Sequence, residues 1–325
     1  MCLDLKSIGL RDKTDMEYHQ IKASSDNLEL SVMTIEPANG LVRAVLQLVH
    51  GMCEHKERYT AFMEYMAEHG YACVIHDHRG HGHSVKKTDD LGYFYEGGAD
   101  AMVEDIKIVN DWIRKRYPDH PIILFGHSMG SMAVRAFTRL YDDKIDGLIV
   151  CGSPSYNPAA PIGKLLAQLD CKINGDRNRP AFIQKIAVEG FNSAFKKEEC
   201  PNAWVCSDKN IVDAYNQNPL CNFQFTSNGF LNLFTLMQRA YARKGWKLSD
   251  PDLPIIFMSG EKDPCLVNLK HFYKAVDRIK KTGYKNVSAV TWPGMRHEIL
   301  NEKSKEKVWK KLMIWCDEAL SPEHK

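Results

Sequence analysis

The chain has 325 residues, 44% of them hydrophobic and 26% charged, with a formal net charge of +2. Those values fit one large α/β domain or a domain carrying a substantial insertion, and they exclude a minimal module, a disordered chain and a basic surface for nucleic acid. The ten cysteines include no CxxC pair, MCLDLKSIGLRDKTD has no apolar leader-like run, and no stretch approaches about 18 uninterrupted apolar residues, so a cytoplasmic protein with cysteines kept as thiols is expected.

Two extended segments open the chain, at residues 16–23 and 28–36, separated by SSDN and closed by PANG. They read as an antiparallel edge. After them, short apolar runs alternate with helical patterns: VLQLV, a helix over 59–69, CVI, a helix over 102–116, IILF, a helix over 129–141, and LIV. Met102, Ile106, Val109 and Ile113 share one helical face, as do Met132, Ala136 and Leu140. This alternation predicts a mostly parallel sheet covered on both faces.

Beyond LIV the rhythm stops, and the next buried strand, PIIFM at 254–258, comes about a hundred residues later, far beyond the usual loop of about 4–6 residues. Helical stretches are expected near 162–169, 181–195, 210–217 and 228–239. Alternation then resumes with a helix over 268–281, a strand at 287–291 and a helix over 303–320. The predicted organisation is a core in two pieces, 1–153 and 241–325, with a helical cap at 154–240.

IILFGHSMGSMAVRAF carries the strongest chemical signal. A Gly-x-Ser-x-Gly turn between a buried strand and a helix bends the chain so sharply that side chains at 126 and 130 would collide with their neighbours, and it leaves the serine hydroxyl exposed at the end of the sheet. Ser128 is therefore the candidate nucleophile. Its proton needs a base, and the base needs a carboxylate, expected in the chain order Ser, acid, His. Asp263 after PIIFMSGEK and His297 after VTWPGMR fall past the last two strands. Glu261 is the alternative acid, and His271 is read as a surface helix residue. Two backbone N–H donors for the oxyanion are expected from Met129 and from Met52 after LVHG.

HDHRGHGHS, with four histidines and an aspartate, invites a metal assignment but lacks the order and downstream ligands of a zinc hydrolase. It reads instead as a turn tied by Asp77 and Arg79 and bent at Gly80 and Gly82. In FQFTSNGFLNLFTLMQRA, the residues Phe223, Phe225, Phe230, Leu231, Leu233, Phe234, Leu236 and Met237 form an apolar stripe, either packing between insertion and core or one wall of an acyl slot.

HGMCEHKERY, DHRGHGHS, GHSMG, SGEKDP and the His297 loop together resemble the α/β-hydrolase superfamily, in the monoacylglycerol lipase and lysophospholipase branch grouped with serine aminopeptidases. The resemblance covers nearly the whole chain. It implies an eight-stranded sheet, a helical cap, a Ser128–His297–Asp263 triad, oxyanion donors at Met52 and Met129, and no cofactor or metal. It also implies a small-molecule ester as substrate, such as a monoacylglycerol or lysophospholipid, with contact between cap and membrane surface as an open expectation. Small or aryl esters, thioesters and an amino-terminal peptide bond are the alternatives on the same triad, and a catalytically dead binding protein is the alternative outside enzymes. Two positions depart from the family pattern: Ser131 stands where another glycine is common, and Asn218 where an aspartate is usual.

Overall fold

The computed structural model describes residues 16–321. Cys2 and the rest of the amino-terminal stretch lie outside the described residues. The opening strands, β1 (Met16–Lys22) and β2 (Glu29–Ile35), pair antiparallel, and β2 pairs antiparallel with β4 (Tyr71–His76). Five further strands, all parallel to β4, follow it: β3 (Ala44–Val49), β5 (Ile122–His127), β6 (Gly147–Cys151), β7 (Ile255–Gly260) and β8 (Val287–Trp292) continue the sheet in the order β1-β2-β4-β3-β5-β6-β7-β8.

β3 to β7 are buried throughout, which is why their sequences read as continuous apolar runs. Gln47 is the polar exception in β3. Its amide donates to the Ile106 carbonyl at 2.9 Å and accepts from the Asn110 side chain at 2.9 Å, so the buried polar group is satisfied.

One face of the sheet is covered by α1 (Thr60–Glu68) and α9 (Lys305–Ala319), whose Phe62, Met63, Trp309 and Leu312 join Leu46, Ile123 and Ile256 in one core layer. The other face is covered by α2 (Gly98–Arg116), α3 (Met129–Tyr141) and α8 (Leu269–Lys280). Met102, Ile106, Val109 and Ile113 of α2 are all fully buried, as their spacing predicts, whereas Leu140 of α3 is half-buried.

Between β6 and β7 lie α4 (Ala160–Asn174), α5 (Ala181–Ala187), α6 (Lys209–Gln217) and α7 (Ser227–Ala240). The helix expected over 181–195 is divided: α5 stops at Ala187, Val188 leaves helical geometry with φ −131°, and a 3₁₀ segment (Glu189–Glu198) follows. Gly190, a weak helix former, falls at this break. α7 packs on both α4 and α3, so it joins the inserted helices to the core. Of the predicted apolar stripe, Phe225, Phe230 and Leu236 are fully buried in the core.

The histidine-rich turn after β4 is a web of hydrogen bonds. Asp77 accepts from the Lys56 N–H at 2.8 Å, the Lys56 ammonium at 2.6 Å and the His83 N–H at 2.8 Å. Arg79 forks onto Asp105 at 2.7 and 3.0 Å and reaches Asp26 at 3.1 Å. Gly80 and Gly82 take φ of +74° and +48°. The rings of His50 and His78 pack 4.5 Å apart, and those of His76 and His78 5.2 Å apart. Their nitrogens do not converge as ligands: among the described residues, three candidate ligand atoms come within 4.8 Å of one another only at Asp263, Cys265 and His297.

Burial pushes all four imidazoles, His50, His76, His78 and His81, toward the neutral form, with the pKa values of His76 and His81 lowered to about 4. An unfolded imidazole takes up a proton near pH 6.5, so stability is complete above that value and is lost as pH falls toward 4. Each such group costs about 1.4 kcal/mol per pH unit inside that window. His76 makes no hydrogen bond through either ring nitrogen to a described residue, so His76→Leu gives up none. Urea unfolding midpoints recorded from pH 7 to pH 5 should therefore fall less steeply for His76→Leu than for the parent chain; equal slopes would show that the native imidazole takes up its proton normally.

Candidate active site

The carboxyl ends of five neighbouring strands lie side by side: Val49 pairs with Gly126, His127 with Cys151, Cys151 with Met258, and Gly260 with Trp292. Every candidate residue leaves the sheet at this edge. At the end of β5, Ser128 takes φ +54° and ψ −118°, a conformation costly for a residue with a side chain. Its N–H donates to the Cys151 carbonyl at 2.9 Å, and its carbonyl accepts from the Ser131 N–H at 3.0 Å and the Ser131 hydroxyl at 2.5 Å. Ser131, the departure from the family pattern, thus braces the turn.

A Cβ on Gly130 would sit 2.3 Å from the Val49 carbonyl oxygen and 2.4 Å from that of His50, and one on Gly126 would sit 2.6 Å from the Gly130 carbonyl oxygen. No side chain fits at either position. The tight fit brings the β3 loop against the nucleophile: a Cβ on Gly51 would lie 3.0 Å from Ser128 Cβ. Met52 follows in that loop, and among the described residues its N–H has no acceptor. The Met129 N–H is the first of α3, one of the donors that a helix leaves unpaired.

Past β7, Asp263 is buried at 3% exposure, and its Oδ1 accepts from the Cys265 N–H at 2.8 Å. Its Oδ2 accepts from the Ser259 hydroxyl at 3.1 Å and from His297 Nδ1 at 2.9 Å. Because a carboxylate only accepts, Nδ1 carries the imidazole proton and Nε2 is left with a free lone pair. Glu261, the alternative acid, bonds instead to Thr291 at 3.1 Å on the surface. The His297 ring packs against the rings of His127 and Trp204, with centroids at 4.7 and 4.9 Å.

Ser128, Met52, Met129 and His297 line one cavity of about 630 Å³, while Asp263 sits behind the imidazole. Among the described residues the Ser128 hydroxyl makes no hydrogen bond to His297, whose Nδ1 is engaged by Asp263. His271 differs from its reading as a surface residue. It is half-buried in the first turn of α8 and lines the same cavity.

Glu54, His127 and Trp204 also face this cavity, and residue-by-residue reading of the sequence assigned them no role. Glu54 lies inside the quoted HGMCEHKERY motif and His127 inside GHSMG, so both were visible; Trp204 sits in a segment without a motif. Burial raises the cost of charge on Glu54, yet hydrogen bonding and the positive charge of His127 and Arg58 hold its carboxyl well below the usual range. For His127 burial likewise opposes protonation, and the Glu54 carboxylate outweighs it, raising the imidazole's pKa.

Comparison with known proteins agrees with this architecture. The family model described as serine aminopeptidase, S33, matches residues 40–304. A monoacylglycerol lipase from Mycolicibacterium smegmatis is 25% identical over 273 residues, covering 84% of this chain and 88% of its own. Phospholipase YtpA of Bacillus subtilis is 23% identical, covering 85% of this chain and 96% of its own. Among solved structures, a thermostable carboxyl esterase from Bacillus coagulans superposes with TM-score 0.87 at 22% identity, over 95% of this chain and all 100% of that one. A monoglyceride lipase from Saccharomyces cerevisiae gives TM-score 0.69 at 17% identity, over 97% and 99% of the two chains. With the sheet order, the elbow and a family model spanning most of the sequence in agreement, the chain belongs to the serine aminopeptidase S33 family, has the α/β-hydrolase fold and is a carboxylic ester hydrolase.

Proposed function

We propose that this hydrolase cleaves monoacyl esters of neutral polyols, monoacylglycerols in preference to lysophospholipids, through an acyl-enzyme on Ser128. His297 Nε2 takes the Ser128 proton as Oγ attacks the ester carbonyl, and Asp263 holds the imidazole tautomer and stabilises its positive charge. The N–H groups of Met52 and Met129 receive the oxyanion. The imidazolium then protonates the departing alcohol, and water, deprotonated by the same base, releases the fatty acid.

The two-sided lining of the cavity carries this reading of the substrate. One side lies between α4 and α7 and presents Ile162, Leu166, Leu233, Phe234 and Met237, apolar groups suited to an acyl chain. The other presents Asn202, Tyr215 and Asn222; Asn202 donates to Asn222 at 3.0 Å, and the Asn222 N–H donates to the Cys53 carbonyl at 3.3 Å. Amide and phenol groups suit alcohol hydroxyls. No Lys or Arg is among the described lining residues, and Arg58 behind them is already paired with Glu54 and Glu298. A phosphodiester head group would therefore meet carboxylates without a free cation. The mycobacterial relative, named as a monoacylglycerol lipase, supports the same choice.

We read residues 154–240 as the cap over this cavity and its outer face as the contact with a lipid surface. Ile162, Leu165, Leu169 and Ile173 repeat at helical spacing on α4 and are 45–77% exposed, and Phe182 and Ile186 of α5 are 64% and 58% exposed. Ile162 and Ile186 also line the cavity, so the apolar face leads to its mouth.

Two experiments test the proposal. Hydrolysis rates for a 1-monoacylglycerol and a lysophosphatidylcholine of equal chain length should favour the glycerol ester at least about ten-fold, and Ser128→Ala should lower turnover by a factor on the order of a million and abolish fluorophosphonate labelling. Retained turnover in Ser128→Ala refutes the mechanism; preference for the choline lipid refutes the head-group assignment. For the surface contact, replacing Ile173 and Phe182 together by Glu should weaken sedimentation with neutral vesicles and slow vesicle-borne hydrolysis about ten-fold or more, since each apolar side chain withdrawn from water is worth about 1.5–3 kcal/mol. The rate on a soluble short-chain ester should stay unchanged, and a parallel loss there would contradict a surface role.

A further inference from the structure

Glu54 takes no part in the acyl transfer described above, yet it is the most heavily bonded carboxylate at the site. It is 3% exposed. Oε1 accepts from the Gly51 N–H at 2.5 Å and from the Tyr59 hydroxyl at 3.0 Å, and lies 3.2 Å from His127 Nδ1. Oε2 accepts from Arg58 Nη1 at 2.8 Å. Arg58 in turn grips Glu298 with two bonds, at 2.6 and 2.7 Å. His127 Nε2 lies 3.4 Å from the His297 carbonyl oxygen.

These contacts reach three loops that are remote in sequence. Gly51 immediately precedes Met52, His127 immediately precedes Ser128, and Glu298 immediately follows His297. Glycine restrains its own backbone least of all residues, so the direction of the next peptide N–H depends on what holds Gly51 in place. Here that restraint is a buried, ionised oxygen, and charge-assisted hydrogen bonds are the strong and directional ones.

We propose that Glu54 is a positioning residue whose carboxylate locks the Met52 oxyanion donor and the Ser128 turn in register with the His297 loop. The proposal rests on the roles given above to Ser128, His297 and Met52. It differs from a head-group contact, the other role open to a carboxylate on the cavity wall, because positioning acts on the transition state whatever the alcohol is.

Glu54→Gln keeps the shape and removes the charge. Its kcat should fall about 100-fold, the size of losing one oxyanion donor, with KM changed by less than about two-fold, and equally for a monoacylglycerol and for p-nitrophenyl butyrate, which has no polyol. Affinity for an alkyl boronic acid, a tetrahedral anion once bound to the serine, should fall in parallel with kcat. Glu54→Asp, which retains charge but retracts it by one methylene, should fall between the two. A loss confined to the glycerol ester, or one seen in KM alone, assigns Glu54 to the substrate and overturns the proposal, as does kcat within about two-fold of the parent in a folded variant. If neither variant folds by circular dichroism, the carboxylate serves folding and the proposal is likewise overturned. Ser128→Ala, run alongside, separates the two readings: turnover surviving in that variant removes the triad assignment itself, whatever Glu54→Gln does.

Discussion

The site depends on a single steric constraint, the contact between the backbone of Gly130 and the carbonyls of Val49 and His50. That contact lets α3 start directly against the end of β3, which presses the Gly51–Met52 loop onto Ser128. Holding Ser128 at φ +54° costs on the order of 1–3 kcal/mol. Bonds from Ser128 to Cys151 and from Ser131 back to Ser128 offset part of that cost. The sheet order does the rest, because β3, β5, β6, β7 and β8 are consecutive neighbours whose ends share one edge. Residues 52, 128, 263 and 297 lie at that edge because they follow those strands.

Around that edge the protein separates two kinds of polar group. The four buried imidazoles beyond β3 and β4 are pushed toward neutrality by burial and pack as edge-on rings. Glu54 and Arg58 are instead held in their charged forms by each other at 2.8 Å, with His127 3.2 Å from Glu54 and Glu298 2.6 Å from Arg58. An isolated buried charge would be prohibitively unfavourable, whereas a paired and hydrogen-bonded one is tolerated and directional. The cavity residues drawn from α4 and α7, among them Leu166, Leu233, Phe234 and Met237, carry no such groups.

Much of this was legible in the sequence. The strands announced themselves as apolar runs because both sheet faces are covered, and the amphipathic spacing of α2 named its buried face correctly. The elbow was readable because glycine is the only residue that fits at 126 and 130, a constraint that leaves a written signature. What escaped notice depends on contacts between distant segments. His271 read as a surface residue, since its helix pattern does not reveal that the first turn of α8 faces a cavity. The apolar stripe at 223–237 divided: Phe225 enters the core from the segment before α7, and α7 itself places Phe230 in the core and Phe234 and Met237 on the cavity wall. Trp204 carries no local pattern, and its place beside His297 is set by chain folding alone.

Trp204 ties the His297 loop to a segment remote in sequence. The indole comes from the stretch between β6 and β7, which also receives the His297 and Glu298 N–H groups on the carbonyls of Trp204 and Val205 at 3.5 and 2.8 Å. The imidazole packs against one ring at the end of β5 and one from this stretch, so its orientation is shared between two parts of the chain, and a substitution in either would disturb it without touching His297.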